Sequence, residues 1–566
     1  MTHNTNRRQF VLQLASVSAV VAGGAALSGC GDGESPVFMY GVASGDPLAD
    51  RVMLWTHVRF PGHDDAVELR YEVADDASFQ TLVSTGKVTA SAATDHTAKA
   101  DATGLTPGRS YYYRFTTGWV HSPVGVTRTL PASASEVKLA VMSCSNYPAG
   151  LFNVYAEVAK ADVQFAIHLG DYIYEYDAAG YASAGAAALG RTSVPANELL
   201  TLRDYRQRHA QYKSDADSKA MHARLPMIAV WDDHEIANDA YKDGAENHSA
   251  ASEGSWETRK AAALQAYHEW MPIRTGADKA RIYRSFNFGH LLSLHMLDTR
   301  LIGREQQVNI ADLAGLSGAA QQAAATAIFS SPTRQLLGAE QAAWLSAQMA
   351  ASSATWQVLG QQVLMARLEF PVSILAALNT TDTSPAAQAA GQAAVTAYLT
   401  AKATPAAQRT AEQVALMNPQ LNPLLGYNLD AWDGYLAARE TVLGASLALG
   451  KKLVVLAGDT HNAWHSDLTL KGLANPALAG VKVGEEFGTT SVSSPGLESY
   501  LAFPGAQVKA IFEGVVDDLH WMDPSRRGYL KMTFTPTEAK GEWVFVDTIT
   551  SSNYQAVVDH SASYLA

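Results

Sequence analysis

The chain has 566 residues, of which 47% are hydrophobic and 17% charged, a composition typical of a soluble globular protein. This length exceeds what one simple core accommodates and predicts two structured domains with additional segments. The net charge of −13 excludes a broad nucleic-acid surface, because phosphate backbones are bound by clustered lysine and arginine. Any anionic substrate must therefore meet a local positive site.

Residues 1–30 are predicted to be an export signal. The segment NRRQFVLQLASVSAVVAGGAALSGC begins with paired Arg7 and Arg8 and continues as a short apolar stretch rich in Gly and Ala. This pattern favours a twin-arginine signal over a cytosolic leader with an incidental arginine pair. Its end, LSGC, resembles a bacterial lipobox, so lipidation of Cys30 is expected, with simple cleavage at the preceding alanines as the alternative. We therefore expect export by the twin-arginine machinery to the periplasm or cell envelope, with membrane attachment through a lipid on Cys30.

The cysteine count also bears on function. Cys30 and Cys144 are the two cysteines of the chain. If Cys30 is lipidated, Cys144 has no disulfide partner, and it is expected to be either buried or a metal ligand. The twin-arginine route carries folded proteins, which suits a protein that takes up a metal before export.

Residues 36–131 are predicted to form a β-sandwich domain. Alternating runs such as RVMLWTHV, ELRYEVA and SYYYRFTT are separated by turn clusters such as SGDPLAD and LTPGRS. The stretch GLTPGRSYYYRF resembles the late strands of a fibronectin type III domain. Tyr111 and Tyr113 are therefore expected in the core of the sandwich.

Residues 136–560 are predicted to form an α/β domain. Its strands are short apolar runs, and its helices include FNVYAEVAKA and EGSWETRKAAALQAYHEWM; the predicted strands are KLAVMSC, VQFAIHLGD, MIAVWDDHE, LLSLHMLDTR, WQVLGQQVLM and KLVVLAGDTH. Ala-rich segments at about 303–350 and 366–445 are expected to be helical insertions. The tail, YLKMTFTPTEAKGEWVFVD, is expected to form a β-hairpin on the edge of the sheet.

Polar clusters close four of these strands, in a doubly wound arrangement whose ligands bind beyond the carboxyl ends of the strands. The clusters contain Cys144, Asp171 with Tyr174, Asp232 to Glu235, and Asp459 with His461. A single Asp or His at such a place is usually a cap, a turn former or a structural residue. Four clusters together are hard to explain in that way and point to two or more metal ions.

The ordered motifs resemble those of the metallophosphoesterase superfamily: Asp, then Gly-Asp, then Gly-Asn-His-Glu or Asp, then Gly-His-x-His. GDYIY also matches the Gly-Asp-x-x-Tyr motif of purple acid phosphatases. The chain departs from the superfamily at Cys144, at Asp233 in the Asn position, and at Asp459 in the first His position.

That combination, together with the N-terminal sandwich, the twin-arginine signal and the phrases SGDP, VMLWT, LDTR and LLGAEQAAWL, is similar to PhoD-type alkaline phosphatases and phosphodiesterases over almost the whole mature chain. The resemblance implies an α/β fold, with a metallophosphoesterase-type β-sheet core and flanking helices, preceded by an all-β, fibronectin III-like sandwich.

The resemblance also implies the metals. Thiolate and phenolate donors stabilise a highly charged ion, so a ferric ion, Fe(III), is expected on Cys144, Asp171, Tyr174 and His461. Carboxylates in place of neutral nitrogen ligands favour a hard cation, so Asp233 and Asp459, with Asp171 bridging, suit calcium, Ca²⁺, rather than zinc. The family implies one or two calcium ions.

The predicted function is that of an exported metal-dependent hydrolase that cleaves phosphate esters by direct attack of a metal-bound hydroxide. Arg300 is the candidate to hold a phosphate oxygen, and an ion pair with Asp298 is the equal alternative. His234 is predicted to protonate or orient the leaving group, with Glu235 fixing that histidine. Asn238 is a further candidate ligand or phosphate contact, with a plain loop role equally open.

Three polar residues of DYRQRHAQY, Arg206, Arg208 and His209, are predicted to lie on a solvated helix face. A second hypothesis for the whole chain is a lipid-anchored binding protein with a structural metal cluster, which predicts a closed coordination shell and no phosphate-binding residue. Arg300 and His234 beside the ligands favour the enzyme. Monoester and diester cleavage are not distinguished, because they differ mainly in the room around the metals.

Overall fold

The computed structural model describes residues 35–308, 313, 316–378, 384–501 and 503–566. The predicted export signal and Cys30 lie outside the described residues. Within those ranges, no helix combines the length and the apolar character needed to span a bilayer.

The strands from the N-terminal region, in chain order, are β1 (Val42–Gly45), β2 (Arg51–His57), β3 (Val67–Ala74), β4 (Leu82–Ala90), β5 (Thr97–Thr103), β6 (Ser110–Thr117), β7 (Val120–His121) and β8 (Gly125–Arg128). The remaining strands are β9 (Val137–Met142), β10 (Phe165–His168), β11 (Met227–Ala229), β12 (Arg284–Phe288), β13 (Leu292–Met296), β14 (Trp356–Gly360), β15 (Glu369–Pro371), β16 (Leu424–Gly426), β17 (Lys452–Ala457), β18 (Ala463–Thr469), β19 (Lys482–Gly488), β20 (Leu519–Asp523), β21 (Arg527–Phe534), β22 (Glu538–Val546) and β23 (Ala556–Leu565).

The described α-helices are α1 (Asn153–Val158), α2 (Ala186–Leu189), α3 (Leu202–Ser214), α4 (Ala216–Arg224), α5 (Ala250–Glu253), α6 (Trp256–Trp270), α7 (Gly318–Phe329), α8 (Gly338–Ala351), α9 (Val372–Leu378), α10 (Pro385–Ala403), α11 (Ala411–Leu416), α12 (Leu436–Ala448) and α13 (Gly505–Val515). The helical content predicted for the Ala-rich insertions is confirmed by α7 to α12, which interrupt the strand order there together with the short β15–β16 pair.

Six of the predicted strands are confirmed, but they belong to two sheets rather than one. A nine-stranded sheet has the order β23-β22-β21-β9-β10-β11-β1-β2-β5, and a seven-stranded sheet has the order β12-β13-β14-β17-β19-β18-β20. Both have parallel strands at their centre, β9-β10-β11 in the first and β13-β14-β17-β19 in the second. The strands of the predicted doubly wound arrangement are therefore divided between two sheets.

The two sheets share one core because both bury an apolar face. Val141 and Ile167 from the first sheet and Leu294, Val358 and Val454 from the second belong to the same buried cluster. Parallel strands buried on both faces produce continuous apolar runs. The outer face of the second sheet is covered by helices of the insertions, which share a second apolar cluster with β14 and β17.

The N-terminal strands form two facing layers, as the alternating pattern indicates. One layer contains β3, β4, β6, β7 and β8, and the other is β1-β2-β5. Tyr111 and Tyr113 lie in the apolar core of these strands, which confirms that expectation. The second layer does not stop there: Gly45 of β1 pairs in parallel with Met227 of β11, so the N-terminal strands extend the nine-stranded sheet.

The C-terminal tail forms the predicted hairpin away from the sheet edge, and helix α3 is more deeply buried than predicted. The predicted hairpin forms as β21–β22, although β23, not the hairpin, occupies the edge of the sheet. The prediction that Arg206, Arg208 and His209 lie on a solvated face of α3 is wrong for Arg208 and His209, which are 1% and 0% exposed. Arg206 is half-buried and pairs with Glu269. Arg208 donates to the carbonyls of Tyr174 and Tyr176, so α3 supports the segment that follows β10.

Candidate metal centre

The ends of β9, β10, β11 and β17 converge on a cavity of about 370 Å³. Its lining includes six of the predicted site residues: Asp171, Asp233, His234, Asn238, Asp459 and His461. Cys144 and Tyr174, also predicted, are buried directly behind these residues, at 0% and 1% exposure. The structure thus gathers the predicted residues at one place, as expected for side chains delivered by the carboxyl ends of parallel strands.

The backbone at these strand ends is strained. Cys144, Asp171, Asp459 and His461 have φ angles of 60°, 55°, 63° and 64°, in the left-handed region that residues with a side chain rarely adopt. Gly170 has φ 110°, and a Cβ added to it would lie 2.4 Å from the Cβ of Asp232. Such conformations cluster at functional sites, where the surrounding structure enforces them.

One donor group combines sulfur, oxygen and nitrogen. Ligand atoms of Cys144, Asp171 and His461 lie within 4.8 Å of one another. The Tyr174 hydroxyl is 2.9 Å from an Asp171 carboxylate oxygen and 3.2 Å from His461 Nε2. His461 Nδ1 lies 2.7 Å from the Pro495 carbonyl oxygen, a partner that leaves Nε2 available for a metal.

Two further donor groups are dominated by carboxylates. Asp171, Asp233 and His234 form one, and Asp232, Asp233 and Asp459 form the other, each with ligand atoms within 4.8 Å. Asp171 belongs to the sulfur-containing group as well, which is the position expected of a bridging carboxylate. Among the residues that the structure describes, one buried oxygen of Asp171 and one of Asp232 find no hydrogen-bond partner.

The acidic donor groups of the site are buried close together, so their charged forms need a nearby positive charge. Burial raises the pKa of Asp232 and of Asp459 well above the usual range, and neighbouring carboxylates add to the increase despite the opposing charge of Arg300. Burial and the Asp171 carboxylate likewise raise the pKa of the Cys144 thiol. A bound cation inverts this balance and favours the charged donors. The residues present therefore fit a site for metal cations.

Arg300 is placed differently from its prediction. Its guanidinium is 0% exposed and lies 2.5 Å from Asp232, 2.8 Å from Asp430 and 2.7 Å from Asp459. Asp298, the alternative partner, accepts the backbone N–H of Arg300 instead. All three guanidinium nitrogens are thus engaged by carboxylates, and Arg300 holds metal-site residues in position rather than offering a free fork to phosphate.

Glu175, not Glu235, contacts His234. His234 Nδ1 lies 2.7 Å from a Glu175 carboxylate oxygen. Glu235 instead accepts the backbone N–H groups of Asp171, Tyr172 and Asp232 and so fixes the strand ends. Burial lowers the pKa of His234, but the surrounding carboxylates outweigh it and hold that pKa well above 6.5. The sequence feature that could have identified Glu175 as a site residue is its position directly after Tyr174 in GDYIYEY.

Asn238 and Ser494 contact the site, whereas His465 does not line the cavity. Asn238 lines the cavity, and its amide nitrogen donates to Glu246 at 3.2 Å, so its role stays a prediction. Ser494 donates to the Tyr174 hydroxyl at 2.6 Å, which places residues 491–496, SVSSPG, against the site. His465 pairs with Glu485 on the neighbouring strand, a structural contact.

Comparison with known proteins identifies the family. The profile of the PhoD-like phosphatase family matches residues 139–543, and that of the PhoD-like phosphatase N-terminal domain matches residues 25–131. Alkaline phosphatase D of Bacillus subtilis (strain 168) is 33% identical over 545 residues, covering 93% of this chain and 80% of that protein. A solved structure described as the structure of PhoD superposes with a TM-score of 0.73 at 32% identity, covering 93% of this chain and 90% of that one. The chain therefore belongs to the PhoD-like phosphatase family.

Proposed function

We propose that this phosphoric ester hydrolase binds Fe(III) and calcium in the cavity and cleaves phosphate monoesters or diesters there without a covalent intermediate. The ferric ion would be held by Cys144, Asp171, Tyr174 and His461, and calcium by Asp171, Asp233 and Asp459. Adjacent cations in such a site lower the pKa of bound water and neutralise the charge of the phosphoryl oxygens.

The observation that carries this proposal is the sharing of Asp171 between the sulfur-containing donor group and a carboxylate group. A carboxylate with two oxygens in such a position can hold two cations side by side. Because Arg300 is occupied by carboxylates, the positive charge that a phosphate needs must come from those cations.

The chain's own residues prepare the rest of the reaction. Glu175 orients His234 so that Nε2 is the ring nitrogen available to the cavity. The Glu175 carboxylate stabilises a protonated His234 ring, which can donate to the leaving alcohol oxygen. Arg300 fixes Asp232 and Asp459, which keeps the carboxylates in place.

The competing hypothesis of a binding protein with a structural metal cluster is not favoured. A structural site closes its coordination shell, whereas these donor groups face a cavity that also admits His234 and Asn238. We also propose, from the sequence, that the two-sheet unit is a metallophosphoesterase-type core behind a fibronectin III-like sandwich, and that a twin-arginine signal with lipidation of Cys30 takes the protein to the cell envelope.

The test is the rate of p-nitrophenol release from p-nitrophenyl phosphate and from its bis-ester, with calcium present, by the mature protein and by Asp171→Asn. We expect the parent to cleave at least one ester and the variant to lose that activity together with bound metal. Asp162→Asn is the matched control, because the Asp162 side chain is 85% exposed and pairs with Lys138 at the surface. Protein that contains its metals but cleaves neither ester would refute the proposal for simple substrates.

A further inference from the structure

Three tyrosines line the metal cavity and have no part in the chemistry described so far. They are Tyr176, Tyr181 and Tyr500. The other lining residues are aspartates, asparagines and two histidines, so the tyrosines are the largest and least polar side chains of the lining. A carboxylate-rich metal site has no need of such rings for binding a phosphoryl group, which is fully polar.

Tyr176 lies beside His234, and Tyr181 continues the wall toward His461, whose Nδ1 is 3.2 Å from the Tyr181 hydroxyl. The ring centroid of Tyr176 is 5.4 Å from that of His234 and 5.7 Å from that of Tyr181. A residue that protonates a leaving group must come within hydrogen-bond reach of the leaving oxygen. The alcohol attached to that oxygen therefore extends along the wall that these rings form.

Hydrogen bonds hold the outermost ring in place while leaving its face open. The Tyr500 hydroxyl donates to the Tyr181 hydroxyl at 2.7 Å, and the Tyr181 hydroxyl donates to the Pro495 carbonyl at 3.2 Å. Tyr500 is nevertheless 59% exposed, and it stacks on no ring among the residues that the structure describes. An aromatic ring fixed by its hydroxyl and open on its face is suited to stacking against a ligand.

We propose that Tyr176 and Tyr500 form a subsite for the leaving alcohol, so that the preferred substrates are phosphate esters of alcohols that carry an aromatic or sugar ring. Open-chain alcohols would occupy the same wall without stacking. This inference rests on the proposed phosphoester cleavage and adds the part of the substrate that the metal site does not contact. It makes the two tyrosines specificity-determining residues rather than catalytic ones.

The test uses two phosphonates that the enzyme cannot hydrolyse, benzylphosphonate and ethylphosphonate, and measures their binding to the metal-loaded protein by calorimetry. We expect the benzyl compound to bind the parent more tightly, by about a factor of ten, as one aromatic contact supplies. Tyr500→Ala should bring that ratio close to one by weakening only the benzyl compound, whereas Tyr500→Phe should keep it. Trp119→Ala is the control, because it removes an exposed ring in the β6–β7 turn that is not part of the cavity lining. This variant should leave the ratio unchanged.

A ratio that survives both Tyr500→Ala and Tyr176→Leu would overturn the subsite. So would equal binding of the two phosphonates by the parent. These outcomes are distinct from a failure of the proposed function, which is measured by hydrolysis of the p-nitrophenyl esters. A parent that hydrolyses those esters but shows no ring preference keeps its activity and loses only this inference.

Discussion

The Nδ1 atom of His234 lies 2.7 Å from one carboxylate oxygen of Glu175. The other Glu175 oxygen accepts the backbone N–H of Asn238 at 2.7 Å and the side-chain amide of Asn247 at 2.8 Å. Glu175 is completely buried, so both oxygens are committed to orienting His234 and the loop after it. This arrangement gives His234 the fixed ring position that a proton donor needs.

Replacing Glu175 with glutamine should therefore impair proton donation more than metal binding. We expect Glu175→Gln to lower kcat for alkyl phosphate esters by about tenfold to a hundredfold, with little change in KM. The effect on p-nitrophenyl phosphate should be smaller, because nitrophenolate leaves without much protonation. Steady-state kinetics on both esters measure the difference.

Glu486→Gln is the control for this prediction. Glu486 lies in β19 of the second sheet, away from the cavity. Its carboxylate is fully buried and accepts the backbone N–H groups of Met365 and Ala366. Its replacement should leave the ratio of the two kcat values unchanged. An equal loss on both esters in Glu175→Gln would mean that Glu175 supports the metal centre and not the proton donor.

Arg300 should contribute to stability rather than to substrate affinity. Removing one partner of a buried charge network leaves the others unpaired, at a cost of about 3–5 kcal/mol. We expect Arg300→Met to lower the free energy of unfolding of the metal-free protein by that order, because Asp232, Asp430 and Asp459 lose their shared cation. Added calcium should recover part of the loss.

Urea unfolding with and without calcium measures this effect, with Arg203→Met, a change at an exposed arginine of α3, as the control. If Arg300 instead binds phosphate, the outcome differs in a recognisable way. Stability would then change little, and KM for the p-nitrophenyl ester would rise.

The metal-site residues could be predicted from the sequence because each follows an apolar run at which polarity changes abruptly. Cys144, Asp171 and Asp459 lie at such points, and parallel strands bring their carboxyl ends to one edge whatever the order of the strands. The division of those strands between two sheets was not predictable, because an apolar run does not specify its neighbour. Pairing depends on contacts between residues far apart in the chain.

The sequence also did not predict which residues pair with the charged side chains of the site. Glu175 is 59 positions from His234, and Arg300 gathers carboxylates up to 159 positions away. Helix α3 shows the same limit, since Arg208 and His209 look solvated in sequence and are buried by tertiary contacts with the segment after β10. Polarity predicts exposure only where no other part of the fold supplies a partner.

The metal composition can be tested through colour and chelation. A tyrosinate bound to Fe(III) absorbs visible light by charge transfer, so we expect a coloured protein whose tyrosinate band is lost in Tyr174→Phe, while the charge-transfer band of the Cys144 thiolate remains. Tyr172→Phe is the control, because the Tyr172 hydroxyl faces His222 and not the cavity. A calcium chelator should abolish activity without bleaching, and calcium should restore it. A colourless active protein that contains zinc would contradict the predicted ions.

His209 should make the protein less stable in acid. Burial lowers the pKa of His209 to about 3, and neither ring nitrogen has a hydrogen-bond partner in the described part of the chain. The unfolded chain binds a proton near pH 6.5, so the stability from neutral His209 is fully present above that pH and is lost as pH falls toward the folded value. Relative to His209→Phe, the wild type should lose about 1.4 kcal/mol of unfolding free energy per pH unit below pH 6.

Urea midpoints of the two proteins at pH 8 and pH 5 measure this gap. The control is His63→Gln, a change on an exposed loop, which should show no such gap. A gap independent of pH would mean that His209 does not titrate with unfolding.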